Sequence, residues 1–310
     1  MRPFRFGGRP GGPRFSMRRI FGRCPLSAAP AQPRRPFFFN NPTVALNETM
    51  IGIFDSGIGG LTVVRALMQK LPEYDLVYFG DTARTPYGNK SPETVIAYSR
   101  QNTAFLLDQG VRMVIMACNT ASSLATAHIA ADFDAPIFEV ITPAVDRALQ
   151  SSRRRCFGVI ATRATVDSGI YESQIKQRCP SARVHSAACP LLVPLVEEGW
   201  LKNRETAMIV KKYLLPLKMR QIDTLILGCT HYPLLKPVIQ RKIGRQVGVI
   251  DSSEALAEHV QSFLTAHPEV DAHLGRGGKR RFYVSDLTGQ FEWMARRTLK
   301  QNVTLKTVRI

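Results

Sequence analysis

Residues 113–120 read M-V-I-M-A-C-N-T and residues 224–231 read T-L-I-L-G-C-T-H. Each is a short apolar run, then a small residue, then a cysteine, then polar residues. Apolar runs without polar alternation belong to strands covered on both faces, the habit of a parallel sheet. The cysteine falls where the strand ends. Ligands in open parallel sheets sit beyond the carboxyl ends of the strands. Cys118 and Cys229 therefore both stand where a binding site forms.

Similar runs occur at 51–54, 76–79, 137–141, 156–160, 183–187, 247–250 and 281–284. Helical patterns fill about 61–70, 93–109, 122–132, 165–177, 204–219, 253–266 and 290–300. Strands alternating with helices imply crossover units and a mostly parallel sheet. The alternation also repeats. The first strand ends in F-D-S-G at 54–57, and 63 residues separate Asp55 from Cys118. The strand at 156–160 runs into A-T-R-A-T at 161–165, and 67 residues separate Thr162 from Cys229. Each half has the order strand, polar turn, crossover, strand, cysteine.

The expected fold is α/β, with two similar domains of mostly parallel sheet flanked by helices and an active site in the cleft between them. Q-S-S-R-R-R at 150–155 breaks the pattern, and the boundary is expected within 143–155. The chain beyond about Glu254 has no third cysteine motif and is expected to return to the first domain. The organisation is thus 50–145 plus 255–310 for the first domain and 146–254 for the second.

Both cysteines precede residues able to open a helix, Asn119 to Ser122 and Thr230 to Pro233. A helix N-terminus favours a thiolate. Asp55 and Ser56 follow an apolar strand, so the carboxylate faces the same cleft. His231, two residues after Cys229, is suited to relaying a proton. Tyr87-Gly88, in T-P-Y-G-N, forms a proline-started turn whose N–H groups suit a carboxylate. Gly57 to Gly60 is neither G-x-G-x-x-G nor a P-loop, so a nucleotide site is not indicated. No Arg stands six residues after Cys118, which removes the phosphatase-type thiol. Cys156, Cys179 and Cys189 read as small buried hydrophobes.

Two thiols facing each other across a cleft suit a particular reaction. If the ligand is an amino acid, a thiolate on one face takes the α-proton and a thiol on the other returns one, giving the mirror image. A thiol pKa of about 8.5 lets either sulfur act as acid or base. The pair must hold one S⁻ and one SH, with Asp55 and His231 assisting on their own sides. Fixed donors must stabilise the carbanion; the candidates are Asn119, Thr120, Thr162 and Thr230. Neither a pyridoxal motif nor a metal motif is evident, and the expected reaction uses no cofactor.

Charge is uneven. The whole chain carries 42 Lys and Arg against 24 Asp and Glu, a net +18. Residues 1–49 hold nine Arg, no Lys and one acid, with eight Pro, five Gly and seven Phe. Such composition cannot pack a core and reads as a disordered extension. Three readings of it stay open: a nucleic-acid-binding tail, a targeting segment, or a dispensable extension preceding a true start at Met50. From Met50 onward 33 bases are mixed with 23 acids. No run approaches the roughly 18 apolar residues of a membrane span. Cys24 lies in the extension and the other five cysteines have irregular spacing, so reduced thiols and a cytoplasmic protein are expected.

These motifs closely resemble those of the glutamate racemases, in the cofactor-independent aspartate/glutamate racemase superfamily. The resemblance is carried by I-G-I-F-D-S-G-I-G-G-L-T-V at 51–63, Y-F-G-D-T-A-R-T-P-Y-G at 78–88, A-C-N-T-A-S at 117–122, C-P-L-L-V-P-L-V-E-E-G at 189–199 and L-G-C-T-H-Y-P-L-L at 227–235. It covers nearly everything from Met50 to about residue 300, and the first 49 residues have no counterpart in it. It implies interconversion of L- and D-glutamate, supplying D-glutamate for peptidoglycan. It also implies a two-domain fold with a central cleft and catalytic cysteines at Cys118 and Cys229. The substrate contacts it implies are Asp55-Ser56, Tyr87-Gly88, Asn119-Thr120 and Thr230-His231, and a homodimer is expected. One stretch departs from the family. Many members carry Glu in G-V-I-E-P, whereas this chain has E-V-I-T-P at 139–143, with Thr142 at the Glu position and Glu139 where Gly is frequent.

Two other readings remain. One keeps the enzyme and changes the substrate to aspartate or another amino acid. The other assigns a nucleic-acid or regulatory role to residues 1–49, which predicts salt-sensitive binding.

Overall fold

The computed structural model describes residues 49–310. The expectations for residues 1–48, including Cys24, lie outside the described residues. The first half runs β1 (Met50–Asp55), α1 (Leu61–Lys70), β2 (Leu76–Gly80), α2 (Pro92–Asp108), β3 (Val111–Met116), α3 (Asn119–Asp132), β4 (Ile137–Glu139) and α4 (Ile141–Ser151). The second runs β5 (Cys156–Ala161), α5 (Arg163–Asp167), α6 (Ile170–Arg178), β6 (Arg183–Ala188), α7 (Leu192–Glu197), α8 (Arg204–Met219), β7 (Thr224–Gly228), α9 (Lys236–Ile243) and β8 (Gly248–Asp251). The chain continues through α10 (Ser252–Ala266), α11 (Pro268–Asp271), β9 (Arg280–Val284), α12 (Gly289–Leu299) and β10 (Leu305–Thr307).

The strands form two sheets, ordered β10-β9-β2-β1-β3-β4 and β6-β5-β7-β8. Every pairing is parallel. The second sheet matches the four-strand core of the first: β5 sits between β6 and β7 as β1 sits between β2 and β3. The fold is therefore α/β with two parallel sheets flanked by helices, and the repeat read from the sequence is present in the strand order. The returning chain adds β9 and β10 to the outer side of β2. The central strands β1, β2, β5 and β7 are buried along their whole length. This is why they read as unbroken apolar runs. The edge strand β6 is half-buried and reads as mixed.

Three sequence expectations are corrected. The strand expected over 137–141 ends at Glu139, and α4 begins at Ile141. The boundary was expected within 143–155, but α4 runs unbroken to Ser151, with Pro143 in its first turn, where a missing N–H costs nothing. The helix expected over 165–177 is two helices, because Gly169 adopts φ 64° between α5 and α6. The short elements α7, α9, α11 and β10 lacked enough periodicity to be read. Among the described residues no helix is long and apolar enough to cross a membrane.

Candidate active site

On one side, β1 delivers Asp55 at its end and turns through Ser56 to Gly60 into α1. Asp55 Oδ2 accepts the N–H of Gly57 at 3.0 Å and of Gly60 at 2.7 Å, which shapes the turn. Its Oδ1 is buried without a hydrogen-bond partner. Tyr78 donates its hydroxyl to the Gly57 carbonyl from β2. Cys118 follows β3 and precedes α3, and its thiol donates to Ser56 Oγ at 3.6 Å. Burial, followed by the charge of Asp55, pushes the Cys118 thiol up to about 12. The Ala121 N–H at the helix start and the Ser56 hydroxyl pull the other way and lose. The expectation that a helix N-terminus yields a depressed thiol is overturned here: desolvation is the larger effect. Burial likewise raises the Asp55 carboxyl, while His231 and the turn N–H groups oppose it.

On the other side, β7 delivers Cys229. The residues after it do not open a helix directly. Tyr232–Leu235 make a 3-10 turn and α9 starts only at Lys236. Instead Cys229 Sγ lies 3.7 Å from His231 Nδ1, and His231 Nε2 lies 3.2 Å from Glu197 Oε1. Burial opposes the charged ring. The contacts with Cys229 and Glu197 outweigh it and hold His231 well above its ordinary value. Glu197 was missed from sequence. It ends α7 one turn beyond the buried Val193, on the same helix face. That spacing was the available signal.

The two sides meet in a narrow, partly open cavity of about 20 Å³. Ser56, Tyr87, Gly88, Cys118, Asn119 and Thr120 line it from the first half. Thr162, Cys229, Thr230 and His231 line it from the second, with Pro86 and Val193 completing the wall. Asp55 stands behind this wall rather than in it. Close approach of the halves needs Gly59: a Cβ there would sit 2.5 Å from His231 Nδ1 and from Thr230 Oγ1. Thr62, on α1, lies 2.9 Å from the Thr230 carbonyl and 2.8 Å from Ser253 Oγ, which anchors the Cys229 loop to the first half. Thr120 Oγ1 meets Thr162 Oγ1 at 3.0 Å and Thr165 Oγ1 at 3.4 Å, a hydroxyl cluster spanning both halves.

Two side chains serve differently from a simple reading. The Tyr87 hydroxyl donates to buried Asp81 and accepts from Asn102 Nδ2 at 3.0 Å, so it anchors the turn that presents Gly88. Tyr171 donates to Asn119 Oδ1 at 3.1 Å, while Asn119 Nδ2 is buried without a partner. In the departing stretch, Glu139 accepts the N–H groups of Ile141 and Thr142 at 2.5 and 2.8 Å. It caps α4, and neither it nor Thr142 lines the cavity.

Two thiols thus line one cavity, Cys118 beside Ser56 and Asp55 and Cys229 beside His231. The Asp/Glu/Hydantoin racemase family matches residues 61–260. The chain belongs to that family. It is accordingly a racemase, an enzyme of the isomerase class. It is 44% identical over 257 residues to the glutamate racemase of Syntrophus aciditrophicus (strain SB), covering 82% of this chain and 93% of that protein. It is 49% identical over 214 residues to the glutamate racemase of Aquifex aeolicus (strain VF5), covering 69% of this chain and 83% of that one. Among solved structures it resembles the glutamate racemase isoform RacE1 of Bacillus anthracis, with a TM-score of 0.80 at 33% identity over 85% of this chain and 98% of that one. The glutamate racemase of Francisella tularensis subsp. tularensis SCHU S4 in complex with D-glutamate gives a TM-score of 0.78 at 37% identity, with the same coverage of both chains.

Proposed function

We propose that this racemase interconverts L- and D-glutamate by a two-base reaction in which Cys118 and Cys229 act on opposite faces of the α-carbon. The observation that carries the reading is the single cavity reached by both thiols from opposed halves. A thiolate on one side takes the α-proton and becomes a thiol. The electron pair left on carbon then takes a proton from the other thiol, which becomes the thiolate, and the configuration is inverted.

The neighbours suit this division of labour. Cys118, raised to about 12, is protonated at neutral pH and stands ready as the acid. Cys229 lies against a ring held in its charged form by Glu197. For the opposite direction Cys118 must ionise, and the substrate ammonium supplies the positive charge that favours this. Asn119 Nδ2 is a buried donor suited to a carboxylate, aided by the hydroxyls of Thr120, Thr162 and Thr230. Asp55 Oδ1, behind the wall, is a buried acceptor suited to a proton in transit. The cavity, of about 20 Å³, is narrow, and its walls come from both halves, so the spacing of the halves sets what it admits.

The proposal extends to supply of D-glutamate for peptidoglycan in the cytoplasm. The relatives' activity supports the first part. The second is supported by the five described cysteines, which are all buried and unbridged. The test is chiral analysis of L-glutamate incubated in D2O with the full-length chain and no added cofactor. Equal amounts of the two enantiomers, with deuterium at the α-carbon, are expected. Unchanged glutamate alongside racemised aspartate would replace the substrate. Rescue of a bacterium requiring D-glutamate tests the cell-wall role.

A further inference from the structure

Glu197 is a residue of the second half, yet its backbone is held by a helix that packs against the first. Gln290, exposed near the start of α12, donates its side-chain amide to the Glu197 carbonyl at 2.7 Å. One turn on, the Trp293 ring lies against Gly199, where an added Cβ would meet ring atoms at 2.8 Å. Gly199 ends the α7 turn with φ 73°, donating its N–H to the Val196 carbonyl at 2.9 Å. The left-handed turn and the absent side chain together let the indole cover this corner. The Arg297 guanidinium lies 5.1 Å from the other partner in the stack, the Trp293 ring. Beneath them Phe291, Met294, Ala295 and Leu299 are buried, and α12 packs on α1. The amide and the ring thus hold the chain at and just after Glu197 with groups that otherwise face solvent. Neither touches the cavity. The path from the clamp runs 2.7 Å to the Glu197 backbone, 3.2 Å from its carboxylate to His231, and 3.7 Å from the far ring nitrogen to Cys229.

We propose that Gln290 and Trp293 are positioning residues that set the Glu197–His231–Cys229 relay, so that α12 tunes one of the two proton transfers and leaves the other alone. The proposal rests on the reading that Cys229 is one of the two bases. Carboxylate placement is the quantity at stake: a displacement of order 1 Å at an acid–base group is enough to cost rate. On the Cys118 side the β1 turn that carries Asp55 and Ser56 is held by Tyr78 of β2, so the α12 clamp reaches only the Cys229 side.

The experiment compares the full-length enzyme with Gln290→Leu and Trp293→Ala, using both enantiomers of glutamate with hydrogen or deuterium at the α-carbon. Enantiomers have equal free energy, so kcat/KM must fall equally in both directions, by about fivefold for loss of one positioning hydrogen bond. The isotope effects carry the distinction. Slowing only the transfer at Cys229 raises the effect on kcat/KM for the enantiomer whose α-hydrogen Cys229 removes. It lowers the effect for the enantiomer whose hydrogen Cys118 removes, because return of a proton by Cys229 then limits the rate. Opposite movement of the two isotope effects is the expected result. Unchanged rates, or isotope effects that stay put or move together, would overturn the assignment. A second readout is independent of turnover: alkylation by iodoacetamide, followed by mass spectrometry, is expected to slow at Cys229 and keep its rate at Cys118. Equal alkylation of Cys229 in all three proteins removes the positioning role. Failure of the unaltered enzyme to racemise any amino acid would instead remove the function on which it rests.

Discussion

Cys118 and Cys229 follow corresponding strands of two sheets with the same four-strand order, yet their surroundings are chemically opposite. Cys118 faces a hydroxyl, with a buried carboxylate behind it. Cys229 faces an imidazole backed by Glu197. The first arrangement keeps a proton on sulfur, and the second holds a positive ring against sulfur. Duplicated backbone can bring two thiols to one point, but it does not make them equivalent. On the proposed two-base reading, two or three side chains on each side supply the asymmetry between the sulfurs. Those side chains differ because nothing in the strand–turn–strand plan constrains them.

Substitutions can break this comparison. The largest effect is expected for Cys118→Ala and Cys229→Ala, each lowering racemisation by about 10³-fold or more, since the proposed reaction uses both thiols. Chiral chromatography reads the loss, and full turnover by either variant would end the requirement for two thiols. Next is His231→Asn, expected to cost about 10²-fold in kcat/KM. His231 is held above its ordinary value, so activity depending on its charge is present at neutral pH and declines as pH climbs through the raised pKa. That alkaline limb should be absent from the pH–rate profile of the variant.

Asp55→Asn sharpens the other side. Removing the carboxylate removes one cause of the raised Cys118 thiol, so the pH midpoint for alkylating Cys118 moves down from about 12, while Cys229 is little affected. An upward or absent shift would mean that Asp55 does not act on this sulfur. The smallest effect concerns stability. Cys189, beside the Cys229 side, is raised to about 12 by burial and then by Cys229. A thiol raised in the folded state contributes stability that is present below its unfolded pKa and is lost as pH rises through the folded one. Thermal melting should therefore fall between about pH 9 and about 12, less steeply in Cys189→Ala than in the unaltered protein. Equal slopes would assign the alkaline loss elsewhere.

The comparison also explains how much could be read in advance. Central strands are buried on both faces, so their apolar runs are visible in the chain, and the cysteines at their ends are visible with them. The edges were less legible. Helix α4 follows directly on a three-residue strand and so reads as its continuation, and α9 opens beyond a 3-10 turn that contains a proline. Helix α7 has only six residues, too few to display a period. Glu197 was hidden for the same reason. Its motif was in view, but which of two adjacent acids faces inward depends on where that short helix begins.

Local sequence alone determined the alternating elements, the repeat and the positions of Cys118, Cys229, Asp55 and His231, because each follows from a strand's burial and its end. Only tertiary structure decided that Glu197 reaches His231, that Gln290 reaches Glu197, and that Cys118 is a raised thiol rather than a depressed one. Those outcomes depend on contacts between distant segments and on how completely water is excluded. Neither is encoded in a window of neighbouring residues.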